Sequence, residues 1–450
     1  MVRRVKALDL WMNSYRVGRW ERGNAGIDRL TYDADWMAAP HGRPLSLSLP
    51  FAYAHGARQP VPIRGDAVTA YFDNLIPDNE RILQRMRAHY GTRSTTAFDL
   101  LGAVGRDCIG AVQIVPADET PDGAQTIDFR ALDEADVARL LRATISTARW
   151  TSEEADAFRL SIAGAQEKTA LLRHRGRWCI PLRATPSTHI FKLPLGLVGN
   201  LRADLRNSVE IEWLSMQLAR ELGLPVAGVE MARFEDQQVL IVERFDRQLA
   251  RDRTWWQRIP QEDFCQALGL LPSRKYEADG GPGIRGIMEI LQGSDRADHD
   301  RGLFFRTQIV LWLMAATDGH AKNFSIHLLP GGRYHLTPLY DILSTYPIQG
   351  RGPNGLDPRK VRLAMSVKGR NAHSLAHEIH RWHWVSMAEG LGLQGVGRTI
   401  DELVHRVPAA IDNVSNRLPS GFPPAVFDAI SHGMKHAAKR LSNEPDRRGP

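Results

Sequence analysis

Thr317-Asp-Gly-His-Ala-Lys-Asn323 places a carboxylate, an imidazole, an ammonium and a carboxamide within seven positions. Asp318 and Asn323 are five residues apart, the interval of a kinase catalytic loop in which an Asp faces the hydroxyl to be phosphorylated and an Asn holds metal. Downstream, Phe324 to Leu329 and Arg333 to Thr337 read as a hairpin turned by Pro330-Gly331-Gly332, and Asp341 lies just past its end. Folding that hairpin brings Asn323 and Asp341 side by side. Magnesium takes hard oxygen ligands from one or two side chains, with phosphate and water completing the shell, and this pair can supply them. Asp318 is then left for the hydroxyl. An Asp-Gly pair alone usually marks only a turn; Asn323, Asp341 and the apolar run before the loop tip the reading towards chemistry.

Phosphoryl transfer also needs a phosphate cradle and a cation. Ser161-Ile162-Ala163-Gly164-Ala165-Gln166 is a small-residue loop whose backbone N–H groups can approach phosphate closely. Lys192 lies on an otherwise apolar strand, IFKLP, where an ammonium is costly without a partner. Phosphate and a carboxylate would pair it, with Glu212 the first candidate and Glu210 the second. The bland alternative is an edge-strand lysine reaching for solvent. Gly164-Ala-Gln-Glu-Lys168-Thr169 has no glycine before its lysine and leads into a strand rather than a helix, which excludes a P-loop NTPase. His373, His377, His380 and His383 fall at i, i+4, i+7 and i+10, one face of a helix. With no carboxylate at HExxH spacing, and with Trp382 and Trp384 among them, a solvated helix is favoured over zinc.

The elements that must carry these residues follow from periodicity. Ala7 to Asn13, Tyr15 to Trp20 and the alternating Pro44–Pro50 (PLSLSLP) read as strands of a small N-terminal β unit, followed by helix between Asp66 and Leu101. Pro116 to Gln125 reads as a linker. Phe158 to Leu193 reads as an antiparallel sheet, Ser208 to Leu222 as an amphipathic helix ending at Gly223, and Gln238 to Phe245 as a strand. Past Gln261 the chain is helical, apart from the Gly-rich Tyr276–Gly283 and the one hairpin. The apolar helix Leu303 to Ala316 delivers the Asp318 loop. The expected division is 1–115, a linker with a helix over 116–150, a β-rich lobe over 151–255, a helical lobe over 256–442 and a disordered tail over 443–450.

A chain of 450 residues exceeds what one hydrophobic core supports, so two or three packed units are expected. Its 43% hydrophobic and 24% charged residues exclude wholesale disorder. The longest apolar stretch, Ile309 to Thr317, is about half a membrane span, and the N-terminus lacks the unbroken apolar segment of a signal peptide. A cytoplasmic protein with no membrane partner is expected. Three scattered cysteines, Cys108, Cys179 and Cys265, form neither a disulfide framework nor a cysteine zinc site. The net charge of +7 permits a polyanionic partner without requiring one.

Together, SIAGAQEKTALL, THIFKLP, VERFDR, PQEDFCQALGL, KYEADGGPGI, TDGHAKNFS and LTPLYDI resemble the HipA family of toxin serine/threonine kinases, with likeness from the WMN and PLSLSLP segments to about residue 420. The resemblance implies an α+β, two-lobed, protein-kinase-like fold with an extra N-terminal β unit and a mostly helical C-lobe. It implies ATP and Mg²⁺ as cofactors and an operon partner, a HipB-like DNA-binding antitoxin, through which any DNA contact is made. It further implies a translation component as substrate: glutamyl-tRNA synthetase or another aminoacyl-tRNA synthetase. Carried over by residue, Asp318 is the acid-base residue, Asn323 and Asp341 hold magnesium, and Lys192 contacts the nucleotide phosphates. Glu243 and Phe245, in VERFDR, meet the adenine through the backbone, and His320 joins Ile162–Gln166 among the nucleotide contacts. Ser161 matches the family's autophosphorylated serine, where added negative charge beside the ATP phosphates would switch the kinase off. HRD, DFG and GxGxxG are all missing, as in the family itself. Two rivals stand beside this reading. One is a catalytically idle corepressor that binds an antitoxin on DNA, which would not need the set Lys192, Asp318, Asn323 and Asp341. The other is a small-molecule kinase.

Overall fold

The computed structural model describes residues 6–23, 26–54, 59–123, 125–146, 160–161, 166–198, 203–350, 352, 354–369 and 371–446. The chain divides into two compact units: Met1–Leu193 with Ala232–Arg274 and Ser325–Thr337, and Pro194–Met231 with Lys275–Phe324 and Pro338–Pro450.

The two largest sheets among the described residues lie mainly in the first unit. The N-terminal one has five strands in the order Ile63–Arg64, Asp28–Tyr32, Tyr15–Arg22, Lys6–Met12 and Gln113–Pro116. Alternating residues such as Leu8, Leu10, Val17, Trp20 and Leu30 face its core, where Trp20 stacks on Phe72 of the helix Asp66–Asp73 at 3.7 Å. Pro44–Pro50 is not a strand. Leu45 and Leu49 are buried, which explains the alternation, but the segment's polar groups bond elsewhere than to a strand. The Ser46 and Ser48 hydroxyls donate to the Gln266 carbonyl at 3.0 and 2.7 Å, and the Leu47 N–H donates to Glu262 at 2.9 Å. Prolines at both ends suit such a loop better than a ladder.

The second sheet orders its strands Val229–Phe234, Gln237–Glu243, His189–Lys192, Lys168–His174, Arg177–Pro181 and Phe129–Ala131. Its core contains Leu171, Ile180, Phe191 and Ile241, covered by the helix Glu134–Ile145, whose Val137, Ala138, Leu140 and Leu141 are buried. Asp133 and Asp136 form a capping box that starts this helix. The helix expected within 116–150 is therefore present, and Phe129–Ala131 adds an edge strand before it. A three-stranded sheet of Gln261–Asp263, Ser325–Leu328 and Tyr334–Leu336 contains the expected hairpin, with Pro330–Gly332 at its turn.

The second unit is mainly helical: Ser208–Glu221, Ile284–Leu291, Ala297–Leu313, Arg381–Gly390, Val396–Ser415 and Pro424–Asn443. It also contains a hairpin the sequence did not announce, Arg362–Lys368 with Ala372–Leu375. The Ser208 helix stops where Gly223 takes φ +84°, as expected, but every residue from Ser208 to Ala219 is buried, so it is a core helix rather than an amphipathic one. The four histidines do not share a helix. His373 is on the strand Ala372–Leu375, His377 in a 3₁₀ turn, His380 at an N-cap, and His383 buried in the following helix. The His380 N–H donates to His383 Nδ1 at 2.9 Å, a capping role that spacing alone could not distinguish from a helical face. The tail is not disordered from residue 443. Asn443 ends a helix, Glu444 accepts from the Arg381 backbone N–H at 2.7 Å and from Arg440 Nε at 3.2 Å, and Asp446 accepts from Arg381 Nε at 2.5 Å. Residues 447–450 lie outside the described residues. No helix among the described residues is long and apolar enough to cross a membrane.

Candidate active site

The helix Ala297–Leu313 is buried continuously from Thr307 to Leu313, and it ends where Ala315 turns left-handed at φ +49°. Its end is fixed from outside. Ser344 Oγ donates to the Met314 carbonyl and Thr345 Oγ1 to the Ala315 carbonyl, each at 2.6 Å. These bonds satisfy carbonyls that a helix C-terminus leaves open. The loop then folds on itself. The His320 N–H donates to the Asp318 carbonyl at 2.8 Å, and Asn323 Nδ2 donates to the same carbonyl at 2.6 Å. Gly319 passes close to the helix, where a Cβ would lie 2.5 Å from Leu311 Cδ1 and push that side chain aside. The Tyr340 hydroxyl donates to the Lys322 carbonyl at 2.8 Å, tying this loop to the segment that carries Asp341.

Asn323 and Asp341 line one small cleft together with Gly319, Thr307 and Tyr340. They flank the hairpin less tightly than expected: its strands are Ser325–Leu328 and Tyr334–Leu336, and Asp341 sits at a left-handed φ of +61°. Because the amide nitrogen of Asn323 is committed to the Asp318 carbonyl, its oxygen is the atom suited to a cation. One carboxylate and one amide oxygen fit magnesium, which takes most of its shell from phosphate and water. Among the described residues no group of three His, Cys, Asp or Glu could hold a metal, and such a site does not need one.

The Asp318 side chain is 58% exposed, and its Oδ1 accepts a hydrogen bond from the Tyr276 hydroxyl at 2.5 Å. His320 is buried, its Nε2 3.9 Å from the same oxygen, and its ring meets Tyr276 edge to face at 4.9 Å. Burial lowers the His320 pKa, against the pull of Asp318, so the ring is neutral near pH 7. Its Nδ1 is buried without a hydrogen-bond partner among the described residues. Tyr276 was not anticipated as a site residue. It stands in the KYEADGGPGI segment, and nothing in that segment announces where its hydroxyl points.

The other expected residues belong mostly to the first unit. Lys192 is buried at the end of His189–Lys192, opposite Leu240 on one side and Lys168 on the other. Glu210 and Glu212 are buried in the first turns of the Ser208 helix, in the second unit. Glu243 is exposed at the end of its strand, paired in register with His189, and Phe245 lies edge-on to His327 at 5.8 Å. Gln166 commits its amide nitrogen to the Leu193 carbonyl at 2.6 Å. Ser161 closes a short strand, Leu160–Ser161, parallel to Asp107–Cys108, while Ile162, Ala163, Gly164 and Ala165 lie outside the described residues.

A buried ion cluster anchors the Glu243–Phe245 segment, and sequence reasoning missed it. Arg244 meets Asp246 through two bonds of 3.0 and 2.8 Å, Arg247 meets Asp246 and Asp107 at 2.9 Å each, and the Gly110 N–H donates to Asp246 at 2.7 Å. Burial alone would raise the Asp246 pKa, but the two guanidiniums hold it down to about 2. The alternating VERFDR pattern was the available signal, yet the partners Asp107 and Gly110 are over 130 residues away in sequence.

Residues 160–411 match the HipA-like C-terminal domain and residues 8–115 the HipA N-terminal domain. The Sinorhizobium fredii protein Y4mE is 31% identical over 91% of this chain and 92% of its own length. The serine/threonine-protein kinase toxin HipA of Shewanella oneidensis is 28% identical, covering 86% of this chain and 84% of its own. A solved structure of the Shewanella oneidensis HipA, HipB and operator DNA complex superposes with a TM-score of 0.77 at 24% identity, over 97% of this chain and 98% of that one. The α+β fold expected from the sequence is thus the HipA fold, and the chain belongs to the HipA family of kinases.

Proposed function

We propose that this protein is an ATP- and Mg²⁺-dependent serine/threonine kinase acting in the cytoplasm as the toxin of a pair whose second member is a HipB-like DNA-binding antitoxin. What carries the reading is the Asp318 loop: an exposed carboxylate on a braced turn, with Asn323 and Asp341 sharing one cleft beside it. In this reading Asp318 accepts the proton of the acceptor hydroxyl as that oxygen bonds the γ-phosphorus. The bond to the β–γ bridging oxygen breaks and ADP departs. Asn323 and Asp341 would hold magnesium, which would neutralise phosphate charge. Lys192 receives phosphate oxygens. The adenine meets the backbone at Glu243 to Phe245, a segment whose position the Arg244–Asp246–Arg247–Asp107 cluster secures. Ile162–Gln166 and His320 are the further nucleotide-binding candidates, and Ser161 receives phosphate as an off-switch. The protein substrate is a translation component such as glutamyl-tRNA synthetase or another aminoacyl-tRNA synthetase, and DNA is reached only through the antitoxin.

Incubating the full chain with labelled Mg-ATP tests the enzymatic core of this reading. Label on the wild-type protein, absent from Asp318→Asn, is the expected outcome. No label and no ADP from the wild type would favour a binding role without catalysis.

A further inference from the structure

The Tyr276 hydroxyl donates to Asp318 Oδ1 at 2.5 Å, and none of the kinase parts assigned above accounts for that bond. Asp318 sits on a loop with most of its side chain in solvent, where a carboxylate without a partner samples several rotamers. A donor on one oxygen fixes the plane of the group and leaves the second oxygen, Oδ2, to the acceptor. A phenol suits this role because it is long, has few torsions, and gives a short, charge-assisted O–H···O⁻ bond.

The placement of Tyr276 is built in. The preceding residue's carbonyl, Lys275, accepts from the Ala321 N–H at 3.1 Å, which joins the Tyr276 turn to the Asp318 loop. The Tyr276 carbonyl accepts from the Asp279 and Gly281 N–H groups at 3.1 and 2.9 Å, closing the turn on itself. The next residue, Glu277, accepts from the Ser366 N–H at 2.5 Å and pairs with Lys368 Nζ at 2.5 Å, fastening the turn to the strand Arg362–Lys368. Lys368 and that N–H hold the Glu277 carboxyl below its ordinary pKa despite the opposing effect of burial. Gly283 passes over the same carboxylate so closely that a Cβ would lie 2.4 Å from Oε1. The Tyr276 ring rests edge to face on buried His320 at 82°. A side chain held on both flanks is suited to fixing a neighbour, not to swinging away as a gate.

We propose that Tyr276 is a positioning residue for phosphoryl transfer, holding the Asp318 carboxylate so that Oδ2 faces the acceptor hydroxyl. The inference rests on Asp318 having the role proposed above. It extends to the turn Lys275–Gly283, whose purpose in the sequence is to deliver this one hydroxyl to the Asp318 loop.

Tyr276→Phe keeps the ring against His320 and removes only the donor. With ADP release from Mg-ATP as the readout, which counts transfer to protein or water alike, the maximal rate is expected to fall about 10- to 100-fold. The ATP concentration for half-maximal rate and the melting temperature should stay at wild-type values. A merely structural tyrosine would move the melting temperature instead, as Tyr276→Ala is expected to do. The second readout is a double-mutant cycle: in an Asp318→Asn background, or Asp318→Glu where residual turnover is too low to measure, Tyr276→Phe should add little. Wild-type turnover in Tyr276→Phe, or the same fold loss in both backgrounds, overturns the proposal. Full turnover in Asp318→Asn, or no ADP from the wild type, would instead overturn the reading of Asp318 on which it stands.

Discussion

At the scale of single residues, the two carboxylates of the candidate site stand in different settings. Asp318 is largely exposed and bonded by Tyr276, whereas Asp341 sits at a left-handed backbone position in the cleft shared with Asn323. Asp341→Ala should weaken Mg²⁺-dependent ATP binding. Asp318→Asn should leave nucleotide affinity near wild type and abolish turnover. Titrating each variant with ATP in the presence and absence of magnesium separates the two, and an equal loss of affinity in both would refute the division. A third carboxylate matters for stability rather than chemistry. Glu262 is fully buried, and burial pushes its pKa up to about 8, despite the Leu47 N–H and Ser46, with Asp263 adding to the rise. Its folded pKa therefore lies above its unfolded value of 4.5, so its stabilising contribution is whole below pH 4.5 and is lost as pH rises towards 8. Each pH unit in that window removes about 1.4 kcal/mol. Glu262→Gln, neutral throughout and able to keep the Leu47 bond, should flatten this slope. Melting temperatures from pH 5 to 8.5 should fall more steeply in the wild type; parallel curves would mean that Glu262 does not carry the proton uptake.

Among the elements, those read correctly from sequence are those whose signal is local. The apolar run ending at Leu313, the polar loop after it and the Pro330–Gly332 turn each carry their own evidence in consecutive residues. The Ser161–Gln166 loop was also read locally, but four of its residues lie outside the described residues. What sequence reading missed was decided by distant partners. Pro44–Pro50 alternates like a strand, yet it is shaped by Glu262 and Gln266, and the histidine series breaks because Ala372–Leu375 pairs with Arg362–Lys368. The hydroxyl of Tyr276 was invisible for the same reason. The helix Pro424–Asn443 gives a test at this scale, because Gly433 packs onto the Tyr346 ring, where a Cβ would lie within 2.5 Å of ring atoms. The Tyr346 hydroxyl in turn donates to the Leu313 carbonyl at 3.1 Å, at the end of the helix that delivers Asp318. Gly433→Ala should therefore destabilise by about 1–3 kcal/mol through overpacking, despite a gain of up to about 1 kcal/mol in helix propensity. Gly302→Ala, with nothing within 4 Å of its Cβ, should be neutral or stabilising. If chemical denaturation ranks the two the other way, the close packing of Gly433 on Tyr346 is not what limits that site.

For the whole molecule, kinase chemistry and partner binding make separable demands. A corepressor would need only its antitoxin-binding surface. It would have no use for a carboxylate on a braced exposed loop, a cleft with two hard-oxygen residues, or a buried ion cluster fastening the VERFDR segment. If transfer itself is the toxic event, expression of the wild-type chain alone should arrest growth, and co-expression with a cognate HipB-like partner should relieve the arrest. Asp318→Asn should be harmless by itself, because it lacks turnover, while still binding the partner, because its substitution alters one exposed side chain and no core packing. Tyr276→Phe should fall between them, delaying arrest in proportion to its loss of turnover. Growth curves after induction, read beside pull-down of the partner, distinguish the cases. Equal arrest by the wild type and Asp318→Asn would assign toxicity to binding. Loss of partner binding in Asp318→Asn would mean that the loop also serves the interface, and the two demands could no longer be treated as separate.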